Sequence, residues 1–467
     1  MSGDEKAEGA MGKLRAFLCP AGVAKVLILG LIVRLAIAPW TYCPFDTYPF
    51  YSASVDMLAG LGMYGHAVFS YPPGFGFVIY PFMLLLSLFM DPSLFAGFYP
   101  EMIGVGAATG LVNPIITAPA FNLALKLPII IGDVLVASML FLMVSEWKGE
   151  KAGRAAYVLW FLNPLAIWIG SVVGQFDVLA VLCTLLAVHF FIHHRYALVG
   201  MSIGAGALLK MYPAYLGVLF LAYVLLSVGA AWKERLRSVA AMAAGLAISV
   251  LPALPLLFTT PEMVDYVLRR AGSDSFGGIN LWFFAPLFGN ASSATTGGAN
   301  FIESPLFIML VGLALTLIVS ITLARSGRPL REGVITGSLL LLVIALLFRS
   351  LTNPQHLLWV IPFMIIFSLA VTSLRIPLII LTASGLLASL TLRSFAVFFY
   401  PMAAYTSLVS VEQLNSIVLT YHSWNAIPSI LFVLSCLLGV LALLSILLIV
   451  SEAPAKWIRD RMWRARE

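Results

Sequence analysis

Long apolar runs, separated by short polar breaks, constrain this chain more than any other feature. The run over 427–450 has no charged side chain, and the run over 121–144 has only Lys126 and Asp133. A helix of about 20 apolar residues is long enough to cross the hydrocarbon layer of a bilayer. Across the whole chain 61% of residues are hydrophobic and 10% are charged, whereas a soluble domain carries about 25% charged residues. The sequence therefore predicts an all-α, polytopic membrane protein.

The basic residues predict the orientation of the spans. They cluster in short segments between apolar runs, and the positive-inside tendency places these segments and both termini in the cytoplasm. The longest polar segments are then outer loops, which face the cell exterior or a lumen: 42–74, 259–304 and 393–426. We expect about 12 to 14 transmembrane helices in one membrane domain over 1–467, with the count over 75–120 left open. Any chemistry is expected on the outer side, because the outer loops are long.

Other classes of protein are disfavoured. The formal net charge of +6 comes from the inner clusters and does not indicate a nucleic-acid partner. P-loop, H-E-x-x-H and G-x-S-x-G patterns are missing from the sequence, so it does not indicate a nucleotide-driven pump, a zinc protease or a serine hydrolase. The four cysteines show no metal-ligand spacing, and we predict no metal site and no cofactor.

The first outer loop, 42–74, begins at the mouth of the first apolar span and holds Asp46. Thr47 can cap a short helix with Pro49 in its first turn, where the missing N–H costs nothing. The apolar residues at helical spacing behind this cap are Tyr51, Val55 and Leu58. We predict an amphipathic helix on the membrane surface, with the Asp46 carboxylate just ahead of it and Asp56 on a solvated face. From this loop alone, a solvated loop aspartate explains Asp46 equally well.

Ionisable residues inside apolar runs are expensive and indicate either function or helix pairing. Lys126 and Asp133 are seven residues apart and share a helix face, and we favour a role in holding the bundle together. Lys210 lies in a break, Lys210-Met211-Tyr212-Pro213, and Asp177 lies where the chain reverses. For these two residues a snorkelling or hydrated side chain and a binding role are equally good interpretations.

A sharper pattern follows Arg349. Asn353 is a good N-cap and Pro354 a good first helical residue, so a helix is predicted to start there with free N–H groups facing outward. Such a helix start beside Arg349 and His356 is an anion site suited to phosphate, and we prefer this to a merely well-capped helix. Arg269 and Arg270 in the second outer loop are expected to add positive charge, or else to contact lipid headgroups.

The order of these motifs resembles a known family. Asp46 is followed by Tyr71-Pro72-Pro73, Gly174-Gln175-Phe176-Asp177, Lys210-Met211-Tyr212-Pro213 and Gln355-His356-Leu357-Leu358-Trp359. This order over about residues 22–373 resembles integral-membrane glycosyltransferases of the C superfamily. The most similar groups are the polyprenol-phosphate-mannose-dependent mannosyltransferases, of the phosphatidylinositol-mannoside type and the GPI mannosyltransferase I type.

The resemblance implies a donor sugar on a polyprenyl or dolichyl phosphate, a glycolipid or glycan acceptor, and an active site facing outside or into a lumen. It implies that Asp46 is the catalytic base that deprotonates the acceptor hydroxyl. The residues then expected to bind the donor phosphate are Arg269, Arg270, His356, Arg349 and Lys210. The residues expected to line the cavity are Asp177, Gln175, Tyr71 and Gln355.

One departure and two alternatives remain at this point. GPI-type enzymes carry an Asp-x-Asp in the first loop, whereas Asp46 is followed by Thr47-Tyr48, which favours a single carboxylate without a metal. The chain is alternatively a transporter or a flippase for lipid-linked sugars, whose broken hairpins form a substrate pathway. A ligase or polymerase that uses a diphosphate-linked oligosaccharide is the other alternative.

Overall fold

The structure, a computed structural model, describes residues 17–66, 68–110, 112–226, 231–265, 277–283, 305–349, 351–392, 394–424 and 426–464. This part of the chain is mostly helical, as predicted. Its strands form two short pairs, β1 (Ala96–Phe98) antiparallel to β2 (Ile115–Thr117) and β3 (Gly277–Gly278) parallel to β4 (Leu351–Thr352). The coarse prediction of an all-α membrane protein is therefore confirmed.

Most of the helices are apolar, and they differ widely in length. They are α1 (Ala24–Ile37), α2 (Pro44–Leu58), α3 (Gly74–Ser87), α4 (Ile103–Thr109), α5 (Pro119–Lys148), α6 (Glu150–Phe161), α7 (Pro164–Ile167), α8 (Asp177–Ile192), α9 (Tyr196–Leu209), α10 (Tyr215–Leu226), α11 (Trp232–Val250), α12 (Leu254–Thr259), α13 (Pro305–Arg325), α14 (Leu330–Phe348), α15 (Ile361–Ser368), α16 (Arg375–Leu392), α17 (Tyr400–Tyr405), α18 (Val411–Ser423) and α19 (Ala426–Arg464).

Five of the helical segments described are long and apolar enough to cross a membrane, or seven if each of two bent pairs is one span. The five are Pro119–Lys148, Trp232–Thr259, Leu330–Phe348, Thr372–Leu392 and Ala426–Ser451. In one bent pair, α1 and its short extension meet α2 at 81°. If α1 crosses the bilayer, α2 therefore runs nearly along its surface, which is the orientation predicted for the first-loop helix.

Buried ionic groups tie the first helices to the bundle. Arg34 on α1 donates from Nε to Asp133 Oδ2 at 3.0 Å and from Nη1 to the Phe161 carbonyl at 2.9 Å. Lys126 donates from Nζ to the Thr41 and Val172 carbonyls at 2.6 and 3.1 Å. Burial of these charges is tolerated because each has hydrogen-bond partners. The interpretation of Lys126 and Asp133 as residues that hold the bundle together is confirmed.

Two of the segments predicted to be outer loops contact each other, and the other one contacts the residues that follow α14. The Tyr42 N–H donates to the Phe398 carbonyl at 2.9 Å, which joins the first loop to the third. β3 of the second loop pairs with β4, and the Asn280 amide donates to the Arg349 carbonyl at 2.8 Å. The third segment is not an open loop, since a 3-10 helix (Phe395–Phe399), α17 and α18 fill most of it.

Candidate functional site

Three of the sequence motifs meet at the buried carboxylate of Asp177, the first residue of α8. Its Oδ2 atom accepts a hydrogen bond from the Lys210 ammonium group at 2.7 Å. Its Oδ1 atom accepts one from the Trp359 indole N–H at 2.9 Å. Charge-assisted hydrogen bonds of this kind offset the cost of taking a carboxylate out of water. Segments that are distant in sequence are thus held together by one side chain.

Trp359 gathers the residues expected at the donor phosphate. Its ring stacks on Tyr212, with the two centroids 3.9 Å apart, and lies 4.8 Å from the His356 ring. The Arg349 guanidinium carbon lies 5.4 Å from the centre of the same indole. Arg349 and His356 therefore lie against Trp359, and Lys210 is linked to Trp359 through Asp177.

The predicted helix start after Asn353 is confirmed, but its first part is a six-residue 3-10 helix, Pro354–Trp359. The Asn353 N–H donates to His356 Nδ1 at 3.1 Å. An Nδ1 that accepts a hydrogen bond belongs to a neutral imidazole whose proton is on Nε2. With this bond, His356 is a neutral imidazole that carries its proton on Nε2.

Gly174 sets the position of the residues that lead into α8. α7 continues as a π-helix, Trp168–Val173, which ends at Gly174 with φ +79°, and a side chain there would press against Lys126. The next residue, Gln175, is 1% exposed, and its amide oxygen and nitrogen find no hydrogen-bond partner in the described chain. Buried amides without such partners are uncommon in folded proteins. Gln355, the other predicted cavity-lining amide, is half-buried.

Tyr71 connects the Asp177 cluster to the first loop. The Lys210 ammonium group lies 4.7 Å from the centre of the Phe176 ring and 5.8 Å from that of Tyr71. Tyr71 also lines a cavity of ≈ 490 Å³ together with Asp46. Tyr71 is therefore close to both Asp46, the predicted base, and Lys210, one of the predicted phosphate-binding residues.

Asp46 is half-buried at the wall of this cavity, which Ser70, Tyr71 and Asn113 also line. Its Oδ2 atom accepts a hydrogen bond from the Cys43 thiol at 3.3 Å. A thiol is a weak donor, so this contact orients the carboxylate without strongly stabilising its charge. The carboxylate is thus beside a space large enough for a sugar hydroxyl.

The predicted start of the first-loop helix was wrong by several residues. α2 begins at Pro44, with Cys43 as its N-cap, so Asp46 lies in the first turn and not ahead of the helix. Thr47 does not cap the helix; its hydroxyl accepts the Cys43 N–H at 3.1 Å. Pro44 and Pro49 both suit a first turn, and the earlier proline begins the helix. This position is favourable for the Asp46 carboxylate, because the N-terminus of a helix stabilises a negative charge.

The prediction of a solvated Asp56 was also wrong. Asp56 is 3% exposed, and its carboxylate accepts the His66 backbone N–H at 3.1 Å and contacts His66 Nδ1 at 2.6 Å. These bonds fold the glycine-rich turn after α2 back onto the helix. The face that the protein buries contains Phe50, Ala53 and Asp56, whereas the predicted apolar face is only partly covered.

Two predicted residues, Arg269 and Arg270, lie outside the described residues, and their role in phosphate binding stays a prediction. The sequence did not single out Trp359, Tyr212 or Phe176 individually, although each lies inside a quoted motif. Their only signal was proximity to polar motif residues: Phe176 precedes Asp177, Tyr212 is two residues after Lys210, and Trp359 is three residues after His356.

Comparison with known proteins does not identify a family: no family model matches the chain, and no curated protein is significantly similar to it.

Proposed function

We propose that this protein is an inverting glycosyltransferase with a C-superfamily-like fold of about 12 to 14 crossings. This number requires that the shorter apolar helices cross the membrane in addition to the five to seven long spans described. It transfers a hexose, mannose by the resemblance, from a polyprenyl- or dolichyl-phosphate donor to a glycolipid or glycan acceptor. The observation that carries this proposal is the convergence of the motifs. Asp46 and Tyr71 line one cavity, and Tyr71 also faces Lys210, which is bonded to Asp177.

In the proposed reaction, Asp46 takes the proton of an acceptor hydroxyl group. At the same time the oxygen of that hydroxyl group attacks the anomeric carbon of the sugar. The bond between that carbon and the phosphate oxygen breaks, and the lipid phosphate leaves with the bonding electrons. Attack opposite the leaving group inverts the anomeric configuration. The carboxylate ends the step protonated and passes its proton to solvent.

Hydrogen-bond donors and cations around Trp359 stabilise the leaving phosphate in this scheme. The Arg349 guanidinium and the His356 Nε2–H supply hydrogen bonds, with Arg269 and Arg270 as further cations. Lys210 has another task, because its ammonium group is already bonded to Asp177 at 2.7 Å. It fixes the position of the Gly174–Asp177 segment and places a positive charge against the Phe176 and Tyr71 rings.

The second candidate, a transporter or flippase for lipid-linked sugars, is supported by the breaks in the helices. α9 and α10 are separated at Lys210, and α6 and α7 meet at 43°. Broken helices are frequent at transport sites. Such a protein moves the donor across the bilayer and leaves its sugar–phosphate bond intact.

Incubation of membranes that contain the protein with radiolabelled polyprenyl-phospho-mannose separates these functions. A transferase produces a new labelled lipid, glycan or protein and releases polyprenyl phosphate. If intact donor only changes its accessibility to an impermeant reagent, the protein moves the donor and the transferase proposal is wrong.

A further inference from the structure

Two histidines and a glutamate converge at the end of α8 opposite Asp177. Glu146 lies in the last turn of α5, and His189 and His193 lie at the end of α8. One nitrogen of each histidine and a carboxylate oxygen of Glu146 all lie within 4.8 Å of one another. The closest pair, His193 Nε2 and Glu146 Oε2, is 3.2 Å apart. Since α8 has 16 residues, this cluster is about 24 Å from Asp177 along the helix.

The spacing and the donor atoms fit a divalent transition metal. Residues four apart share one helix face, and the rings of His189 and His193 are 4.5 Å apart between centroids. Two imidazoles and a carboxylate are ligands that zinc accepts at about 2.0–2.2 Å, which separates neighbouring ligand atoms by about 3.4 Å. The pair of His193 and Glu146 is already near this separation, and only the His189 ring has to move closer.

Arg331 holds the carboxylate of this cluster in place. It donates from Nη2 to Glu146 Oε2 and from Nη1 to the Glu146 carbonyl, both at 3.1 Å. Carboxylates that bind metals are usually held by such outer hydrogen bonds. The positive charge of Arg331 also repels an incoming metal ion. We therefore expect a zinc affinity in the micromolar range, weaker than that of a structural zinc finger.

We propose that Glu146, His189 and His193 form a binding site for a divalent transition metal, best matched by Zn²⁺. The metal takes three protein ligands and leaves one position for water. It joins the ends of α5 and α8 at the bundle end that the basic residues predict to face the cytoplasm. The site is separate from the Asp46 cavity, and it does not depend on the transferase proposal.

The test is zinc binding to the purified, tag-free protein in lipid nanodiscs, measured by competition with a chromophoric chelator. The wild type should bind about one zinc ion per chain with micromolar affinity. Glu146→Gln and His193→Ala each remove a ligand and should weaken binding by at least about tenfold. Both positions are partly exposed, so the variants should fold.

His194→Asn is the matched control. His194 is in the same turn and contacts the Tyr196 hydroxyl instead of the cluster, and its φ of +56° is one that asparagine tolerates. This variant should bind zinc as the wild type does. Zinc should raise the unfolding temperature of the wild type and of His194→Asn, but not that of His193→Ala. Absence of micromolar binding in the wild type, or binding by His193→Ala and Glu146→Gln that is as tight as that of the wild type, would overturn the proposal.

Discussion

Asp177 and Lys210 form an ion pair of 2.7 Å in which the carboxylate is fully buried and the lysine side chain is 11% exposed. The pair lies between a helix start and a helix break, and Trp359 satisfies the second carboxylate oxygen. It is therefore the contact that holds together the segments on which the proposed function depends.

A double-mutant cycle tests whether this pair is structural. Asp177→Asn leaves a poorly solvated ammonium group, and Lys210→Met leaves a buried carboxylate, so each should lower the free energy of unfolding by about 3 kcal/mol. The double variant should lose much less than the sum of the two. The free energy of unfolding of all three variants is measured in nanodiscs. Glu150→Gln is the control: Glu150 forms an exposed ion pair with Arg154, and its loss should change stability very little. Strict additivity would show that the two side chains do not act as a pair.

Two substitutions at His356 separate phosphate binding from capping. In His356→Asn the side-chain oxygen can still accept the Asn353 N–H, but the Nε2–H donor is lost; His356→Ala loses both. If His356 forms a hydrogen bond with the phosphate of the sugar donor, both variants should bind that lipid-phosphate donor with about 10- to 100-fold lower affinity. Binding is measured with the labelled donor in nanodiscs. Normal donor binding by His356→Asn, with loss only in His356→Ala, would leave His356 with the capping role alone.

Asp56→Asn tests the correction made by the structure. The amide has one acceptor oxygen where the carboxylate has two, so one of the two bonds with His66 is lost and stability should fall by about 1–3 kcal/mol. Transfer per folded molecule should stay near that of the wild type, because Asp56 does not line the cavity with Asp46. Thermal unfolding and transfer are compared at equal protein amounts. Unchanged stability would show that the bonds between Asp56 and His66 do not stabilise the fold, as expected for a solvated side chain.

The sequence predicted the class of fold and several local elements, and its failures have physical reasons. Apolar runs and capping residues are local signals, so the helix after Asn353 and the break at Lys210 were predicted correctly. Asp56 was placed on a solvated face because its partner, His66, lies beyond a glycine-rich turn whose path the sequence does not specify. The bonds of Asp177 with Lys210 and Trp359 join distant segments, and no local pattern predicts which side chains meet.

Labelling of introduced cysteines tests the predicted orientation. Ser407→Cys, on an exposed position between α17 and α18, should react with an impermeant maleimide added from outside. Ser326→Cys, between α13 and α14, should react only after the membrane is opened. Both are made in a background without the four native cysteines, and a denatured sample controls for reactivity. Labelling of the two from the same side would contradict the orientation that the basic residues predict.

Asp46→Asn tests the central claim most directly. The amide keeps the size of the side chain but cannot accept the acceptor's proton, and general-base assistance is worth about 10²–10⁴-fold in rate. Sugar transfer from radiolabelled polyprenyl-phospho-mannose is measured at equal abundance of folded protein. Glu412→Gln, an exposed carboxylate near the start of α18, serves as the control and should transfer normally. The account predicts that Asp46→Asn binds donor normally and loses transfer by at least about 10²-fold; normal transfer by this variant would contradict it.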